Sequence, residues 1–320
     1  MKGTWKLHLR MMLASILMFV MLYIVVGLVC ALVGVSMAPM VWLGISLVIT
    51  FIQFLAGPKL VEWSMGVRRV SEAEAPELHQ MVAELAANAG IPKPTVGICN
   101  MSVPNAFAYS RTRRDGHIAV TTGILNVLNH DELKAVLGHE MSHIKHYDCA
   151  INTIISVIPM ICYYTAMGFL YSNNDDNGLG AIIGVLGLVF YFIGQLLVLF
   201  VSRIREYYAD QGSVELGNKP EWLASALYKL VYGAAAAPSS EIKECEGNKA
   251  FFLNDVSHAE RDITELSQVD LDGDGIIGSD ELRQLRNSNV KVSRGNKFME
   301  LFSTHPDMLK RIKRLSELEN

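Results

Sequence analysis

Four apolar runs dominate the chain and limit what it can fold into. Leu9–Val35 is apolar apart from Arg10 and a few small polar residues. Met37–Ala56 follows, closed by "GPK", and Ala150–Tyr171 and Leu179–Val201 come later. Each approaches or exceeds the roughly 20 residues that carry a helix across a bilayer. The first run is longer than a signal-peptide core and has no clear cleavage site, so it reads as an uncleaved span. Core helices of a large soluble domain are the competing reading, but four such runs among 320 residues leave too little chain to cover them. Hydrophobic residues at 51% and charged residues at 19% fit the membrane reading.

Lysine and arginine set the orientation. Lys2, Lys6 and Arg10 precede the first span, Lys59, Arg68 and Arg69 follow the second, and Arg203 and Arg205 follow the fourth. The turns "GVSMAP" and "SNNDDNGLG" carry neither residue type. The positive-inside rule then places both termini and the 57–149 segment in the cytoplasm of a multi-pass cell-membrane protein, with the lipid bilayer as a partner. A net charge of −4, with no basic patch interleaved with aromatics, gives no reason to expect a nucleic-acid partner. The five cysteines are scattered and form no CxxC, which fits a reducing compartment.

Within the cytoplasmic segment, Glu74–Ala89 has helical periodicity with Leu78, Met81, Val82, Leu85 and Ala89 on one face. "TVGIC" and "HIAVTTGIL" are rich in β-branched residues and predict strands. "NHDELKAVLGHEMSHIKHYD" predicts a helix, with Asn129 or Asp131 as its cap.

That last helix carries HExxH. His139 and His143, four apart, project from one helical face and can share one tetrahedral zinc, with Glu140 beside them as general base. A catalytic zinc needs a third protein ligand and an open position. His146 lies two turns, about 10 Å, from His139 on a continuous helix. Cys149 stands where metzincins place a third ligand, but His146 occupies the glycine position at which such a chain turns back. A glutamate from another helix is the alternative. In "VSRIREYYADQG", Glu206 and Asp210 share a helical face, so Glu206 can ligate while Asp210 orients a ligand histidine. Spans three and four form a hairpin, which returns Glu206 to the membrane face of His143.

Taken with "GIPKPTVGI", "VPNAFA", "VTTGIL", "LGHEMSH", "REYYAD" and "STHPDMLKRI", the chain resembles the HtpX family of integral-membrane zinc metalloproteases, relatives of the CAAX prenyl proteases. These stretches cover it from about residue 60 to 235 and from 297 to 318. The resemblance implies a gluzincin fold, His139, His143 and Glu206 as zinc ligands, Glu140 as the base, and proteolysis of membrane or misfolded proteins at the cytoplasmic face. It also implies an edge strand that pairs with extended protein or peptide substrate, expected at about His117–Thr121 with Ala119 at its centre. Asn105 and Phe107 are expected to shape the cleft, and His305 to support the developing oxyanion.

"VDLDGDGIIGSDEL" departs from the family pattern and matches an EF-hand calcium loop. Asp270, Asp272 and Asp274 occupy positions 1, 3 and 5, Ile276 offers its carbonyl at 7, and Glu281 is the bidentate residue at 12. No second such loop is found.

The fold class expected is α+β, mostly helical: four transmembrane helices plus a gluzincin-type cytoplasmic metalloprotease domain with a small β-sheet. The expected organisation is two spans (1–57), the protease part with HExxH (58–149), a transmembrane hairpin (150–201), the third-ligand helix (202–240), the EF-hand-like insert (241–296) and a C-terminal protease helix (297–320). The function expected is a zinc endopeptidase with possible calcium modulation. A calcium-responsive adaptor with a structural zinc, and a CAAX-type processing enzyme, are the rival readings.

Overall fold

The computed structural model describes residues 17, 38–170, 179–236, 263, 265–288 and 299–318. The first apolar run lies outside the described residues except for residue 17, as do 171–178 of the hairpin turn and most of 241–264. The chain divides into two compact units, with breaks at Ala56/Gly57, Cys149/Ala150 and Ile204/Arg205.

The second apolar run forms helix α1, Ala38–Ser64. The expected stop at "GPK" does not occur, and the helix continues through Pro58. Its last turn is tied down by Glu62, which accepts from Arg69 Nη2 at 2.6 Å and from the Tyr109 hydroxyl at 3.3 Å.

Helices α5 (Asp148–Leu170) and α6 (Leu179–Glu215), whose residues 150–170 and 179–204 belong to the first unit, are long and apolar enough to cross a membrane, as judged over Asp148–Leu170 and Gly180–Glu215. Glycines let the two approach: a Cβ at Gly187 would lie 2.8 Å from that of Ala166. Ile182, Val185, Val189 and Phe192 form an exposed apolar stripe on α6, a surface suited to lipid rather than water.

The second unit is built on a four-stranded sheet in the order β1-β2-β4-β3. Its strands are β1 (Arg68–Arg69), β2 (Thr95–Cys99), β3 (Ala106–Ser110) and β4 (Gly116–Thr121). β2 and β4 run parallel with Gly97 opposite Ala119, and β3 is antiparallel to β4 with Ala108 opposite Ile118. Helix α2 (Pro76–Ala89) buries the predicted face and ends at Gly90, whose φ of 68° is the left-handed conformation that favours glycine. "HIAVTTGIL" is not one strand. Thr121 accepts the Ile124 N–H and caps a short helix, α3 (Thr122–Val127), so the β-branched run changes state at its midpoint.

Helix α4, His130–Lys145, opens with a capping box in which the Asn129 side chain accepts from Glu132 and the Glu132 carboxylate accepts from Asn129. Helix α7 (Pro220–Ala235) packs on it, and Ser225 and Lys229 both donate to Glu132. Helices α8 (Ser279–Asn287) and α9 (Met308–Ser316) complete the unit. Leu266, Val269, Ile277, Leu282 and Leu285 join the same hydrophobic core as the sheet and α4, so the EF-hand-like segment is part of this core. Lys313 of α9 donates to the C-terminal carbonyls of α8, at 2.8 Å for Arg286 and 2.9 Å for Ser288.

Candidate metal centre

The four-residue spacing on α4 brings His139 and His143 together with their rings edge to face. α4 and α6 approach closely at this level because glycine faces serine. A Cβ on Gly212 would lie 2.1 Å from Ser142 Oγ, and one on Gly138 would lie 2.8 Å from Ser213 Oγ. Ser213 Oγ also donates to the Ala135 carbonyl at 2.5 Å. This approach carries Glu206 to the two histidines. His139 Nε2 and His143 Nε2 are 3.1 Å apart, and each lies 3.5 Å from a Glu206 oxygen.

Those separations suit a metal. Four ligands about 2.1 Å from one tetrahedral ion stand roughly 3.4 Å from each other. The outer ring nitrogens strengthen the fit. His139 Nδ1 is 2.9 Å from Asp210, and His143 Nδ1 is 2.6 Å from Asp148. With the Nδ1 protons given to carboxylates, each Nε2 can turn a lone pair to an ion held between the two rings. Glu206 Oε2 is buried and lies 3.3 Å from His305 Nδ1, 3.4 Å from Arg311 Nη1 and 3.5 Å from His139 Nε2. His139, His143 and Glu206 therefore fit a zinc ion, with Asp210 and Asp148 orienting the imidazoles.

Glu140 is buried, and a carboxylate oxygen lies within 4.8 Å of donor atoms on both histidines. Burial raises its carboxyl above the ordinary range, against the pull of the two imidazoles and an N–H bond from Ala108. Burial also depresses His143. For His139 burial is outweighed by hydrogen bonds to Asp210 and Glu206, which lift it to about 9. Burial pushes Glu206 up, but His305, His139 and Arg311 hold it well below the carboxylate range.

His305 is buried, with Nδ1 3.3 Å from Glu206 Oε2. His146 instead ends α4, with Nδ1 2.9 Å from the Ser142 carbonyl. Cys149 gives its thiol to the Ala108 carbonyl.

Three residues of the site were not expected from sequence. Asp148 meets His143 because the chain turns at Tyr147, whose φ is 59°, before α5 begins. Arg205 pairs with Asp148 and donates to the His146 carbonyl at 3.0 Å. Arg311, fully buried on α9, clamps Asp210 through Nε at 3.0 Å and Nη2 at 2.6 Å, and its Nη1 lies 3.4 Å from Glu206. Each ligand histidine is thus backed by an aspartate and an arginine. The acidic residue five positions beyond His143 was the one sequence signal for Asp148.

The expected substrate strand needs correction. His117, Ala119 and Thr121 lie on β4, which is paired on both sides by β2 and β3 and has no free edge. The outer strand on this side is β3. Ala108 there turns its N–H to Glu140 and its carbonyl to Cys149. Asn105 is buried just before β3, and its backbone N–H donates to Thr121 Oγ1 at 2.8 Å. The Phe107 ring is part of the hydrophobic core.

In the EF-hand-like loop, Asp270, Asp272 and Asp274 bring carboxylate oxygens within 4.8 Å of one another. Gly275 takes the turn at φ 78°. Glu281 folds back on the loop, accepting from Leu271 at 2.6 Å and Gly278 at 2.9 Å. The Ile276 side chain is exposed.

Residues 72–319 match the model of peptidase family M48. A protease HtpX homolog of Methanothermobacter thermautotrophicus is 54% identical over 229 residues, covering 72% of this chain and 87% of the relative. Protease HtpX homolog 2 of Methanosarcina acetivorans is 34% identical over 274 residues, covering 84% and 81%. Among solved structures, S. mikatae Ste24p matches with a TM-score of 0.51 at 14% identity, covering 97% of this chain and 66% of that protein, a likeness of fold. The chain belongs to peptidase family M48, among the HtpX proteases.

Proposed function

We propose that this protein is a membrane-embedded zinc endopeptidase that cleaves membrane or misfolded proteins at the cytoplasmic face. The observation that carries the reading is the set of donor atoms from three residues at 3.1–3.5 Å, with a carboxylate behind each imidazole and Glu140 alongside. His139, His143 and Glu206 hold the ion. When bound, zinc supplies Lewis acidity toward the scissile carbonyl and the attacking water. Glu140 takes the water proton and passes it to the leaving amine. His305, whose Nδ1 lies 3.3 Å from Glu206 Oε2, donates to the developing oxyanion in this reading. Substrate pairs with the outer side of β3, replacing Glu140 at the Ala108 N–H and Cys149 at its carbonyl, which brings the scissile bond beside Glu140. Four spans hold the chain in the membrane with both termini in the cytoplasm.

Chelating the metal from the full chain in detergent is expected to cut cleavage of an unfolded protein by at least about 10²-fold, and stoichiometric zinc restores it. Equal cleavage with and without metal would sink the reading. Absence of cleavage by the zinc-loaded protein would favour the adaptor.

Calcium at Asp270, Asp272, Asp274, the Ile276 carbonyl and Glu281 is a further part of the proposal, supported by the motif and the convergence of the three aspartates. Glu281→Gln is expected to weaken calcium binding, measured by calorimetry, by on the order of ten-fold or more. Zinc-saturated activity that ignores both calcium removal and this substitution rules out modulation.

A further inference from the structure

The hairpin joining β3 to β4 reads Arg111-Thr112-Arg113-Arg114-Asp115-Gly116. Arg111 Nε is paired with Asp115 at 2.5 Å. Arg113 is exposed, donates from Nε to the Lys145 carbonyl at 2.6 Å, and lies 4.6 Å from the centroid of the Tyr147 ring. The hairpin is therefore fixed to the end of α4, which only His146 and Tyr147 separate from the apolar helix α5 starting at Asp148. Arg113, Arg114 and Lys145 have no carboxylate partner among the described residues, and Tyr147 is 40% exposed. Two guanidinium groups with no carboxylate partner among the described residues, a lysine and an exposed tyrosine thus gather where the chain turns into its apolar segment.

We propose that this hairpin is a binding surface for the headgroups of anionic phospholipids. The inference rests on the reading of α5 as a membrane span. Guanidinium forks match phosphate oxygens in paired hydrogen bonds, which suits arginine better than lysine to this task. Tyrosine is at home in the headgroup layer, where its ring meets apolar chains and its hydroxyl meets water. A basic cluster beside a span attracts acidic lipid within a Debye length of the surface. The consequence concerns the reaction, because the hairpin continues directly into β3. Lipid on Arg113 and Arg114 holds this outer strand at the bilayer surface, so extended segments just emerging from the membrane meet it first.

The test uses the full chain reconstituted in phosphatidylcholine vesicles, with spin-labelled phosphatidylglycerol or spin-labelled phosphatidylcholine as the probe. Wild-type protein is expected to immobilise the phosphatidylglycerol probe about five-fold more strongly. The preference shrinks in about 1 M salt, where the Debye length is roughly 3 Å. Arg113→Gln with Arg114→Gln, both in an exposed turn, removes the preference. Arg283→Gln on α8, at 58% side-chain exposure, leaves it intact and controls for net charge. Absence of preference in the wild type, its survival in the double variant, or equal loss in the Arg283 control overturns the proposal. So does full displacement by excess inorganic phosphate, which reassigns the arginines to a free anion. A chain washed off the vesicles at high pH shows that the membrane reading itself has failed, whereas an integrated chain without lipid preference defeats this inference alone.

Discussion

Glu140→Gln is expected to lower kcat for an unfolded protein substrate by roughly 10²–10⁴-fold while leaving bound zinc stoichiometric. The two effects separate because Glu140 is beside the ligand set and not in it. His139, His143 and Glu206 make the contacts of 3.1–3.5 Å, and glutamine at position 140 changes none of them. Glutamine keeps the volume of the buried side chain and can still accept the Ala108 N–H, so β3 stays in place. What it lacks is the capacity to take a proton. Burial raises the Glu140 carboxyl above its ordinary range, which makes it a stronger base than an exposed glutamate. A loss of kcat with KM nearly unchanged is the signature of a group used in the transition state and not in binding. Activity within ten-fold of wild type at full zinc occupancy would remove Glu140 from the role of base.

The metal centre was largely legible in the sequence because its central elements are local. A four-residue spacing puts His139 and His143 on one face, and the capping pair Asn129 and Glu132 marks where that helix begins. Glu206 and Asp210 were found by the same spacing, and a hairpin of two apolar runs brings them back. The features that were missed depend on contacts between distant parts of the chain. β3 has alanine, phenylalanine, alanine, tyrosine and serine in succession, with no polar alternation to mark a strand, and four of the five residues are buried. Its edge position follows from the parallel pairing of β2 with β4, which no short stretch encodes. Thr121 reads as β-branched strand but acts as a helix cap. Asp148 reaches His143 only through a left-handed Tyr147, a conformation that no glycine announces.

Arg311 shows the same limit most sharply, and its replacement carries the second large expected effect. On an amphipathic helix next to Lys310, Lys313 and Arg314, it reads as one more solvated charge. It is instead fully buried, held by Asp210 from a helix 101 positions away. Arg311→Met keeps the length and apolar stem but leaves Asp210 and Glu206 without their buried cation. Removing one partner of such a pair costs about 3–5 kcal/mol, far more than the pair itself need contribute to stability. For a domain of this size that corresponds to a fall in Tm on the order of 10 °C. Zinc affinity is expected to drop about 10–100-fold, because Asp210 is no longer fixed against His139 Nδ1. A double-mutant cycle separates the two consequences. Adding Asp210→Asn to Arg311→Met removes the stranded charge and recovers part of the lost Tm, but it does not restore zinc affinity, since the carboxylate behind His139 is gone. Arg311→Lys falls between, keeping the charge but not the two-pronged contact. The arginine also joins two regions, because α9 holds the end of α8 through Lys313 and Glu206 through Arg311. If Arg311→Met binds zinc as tightly as the wild type and melts at the same temperature, the aspartate behind His139 does not need its cation and the linkage through α9 is lost.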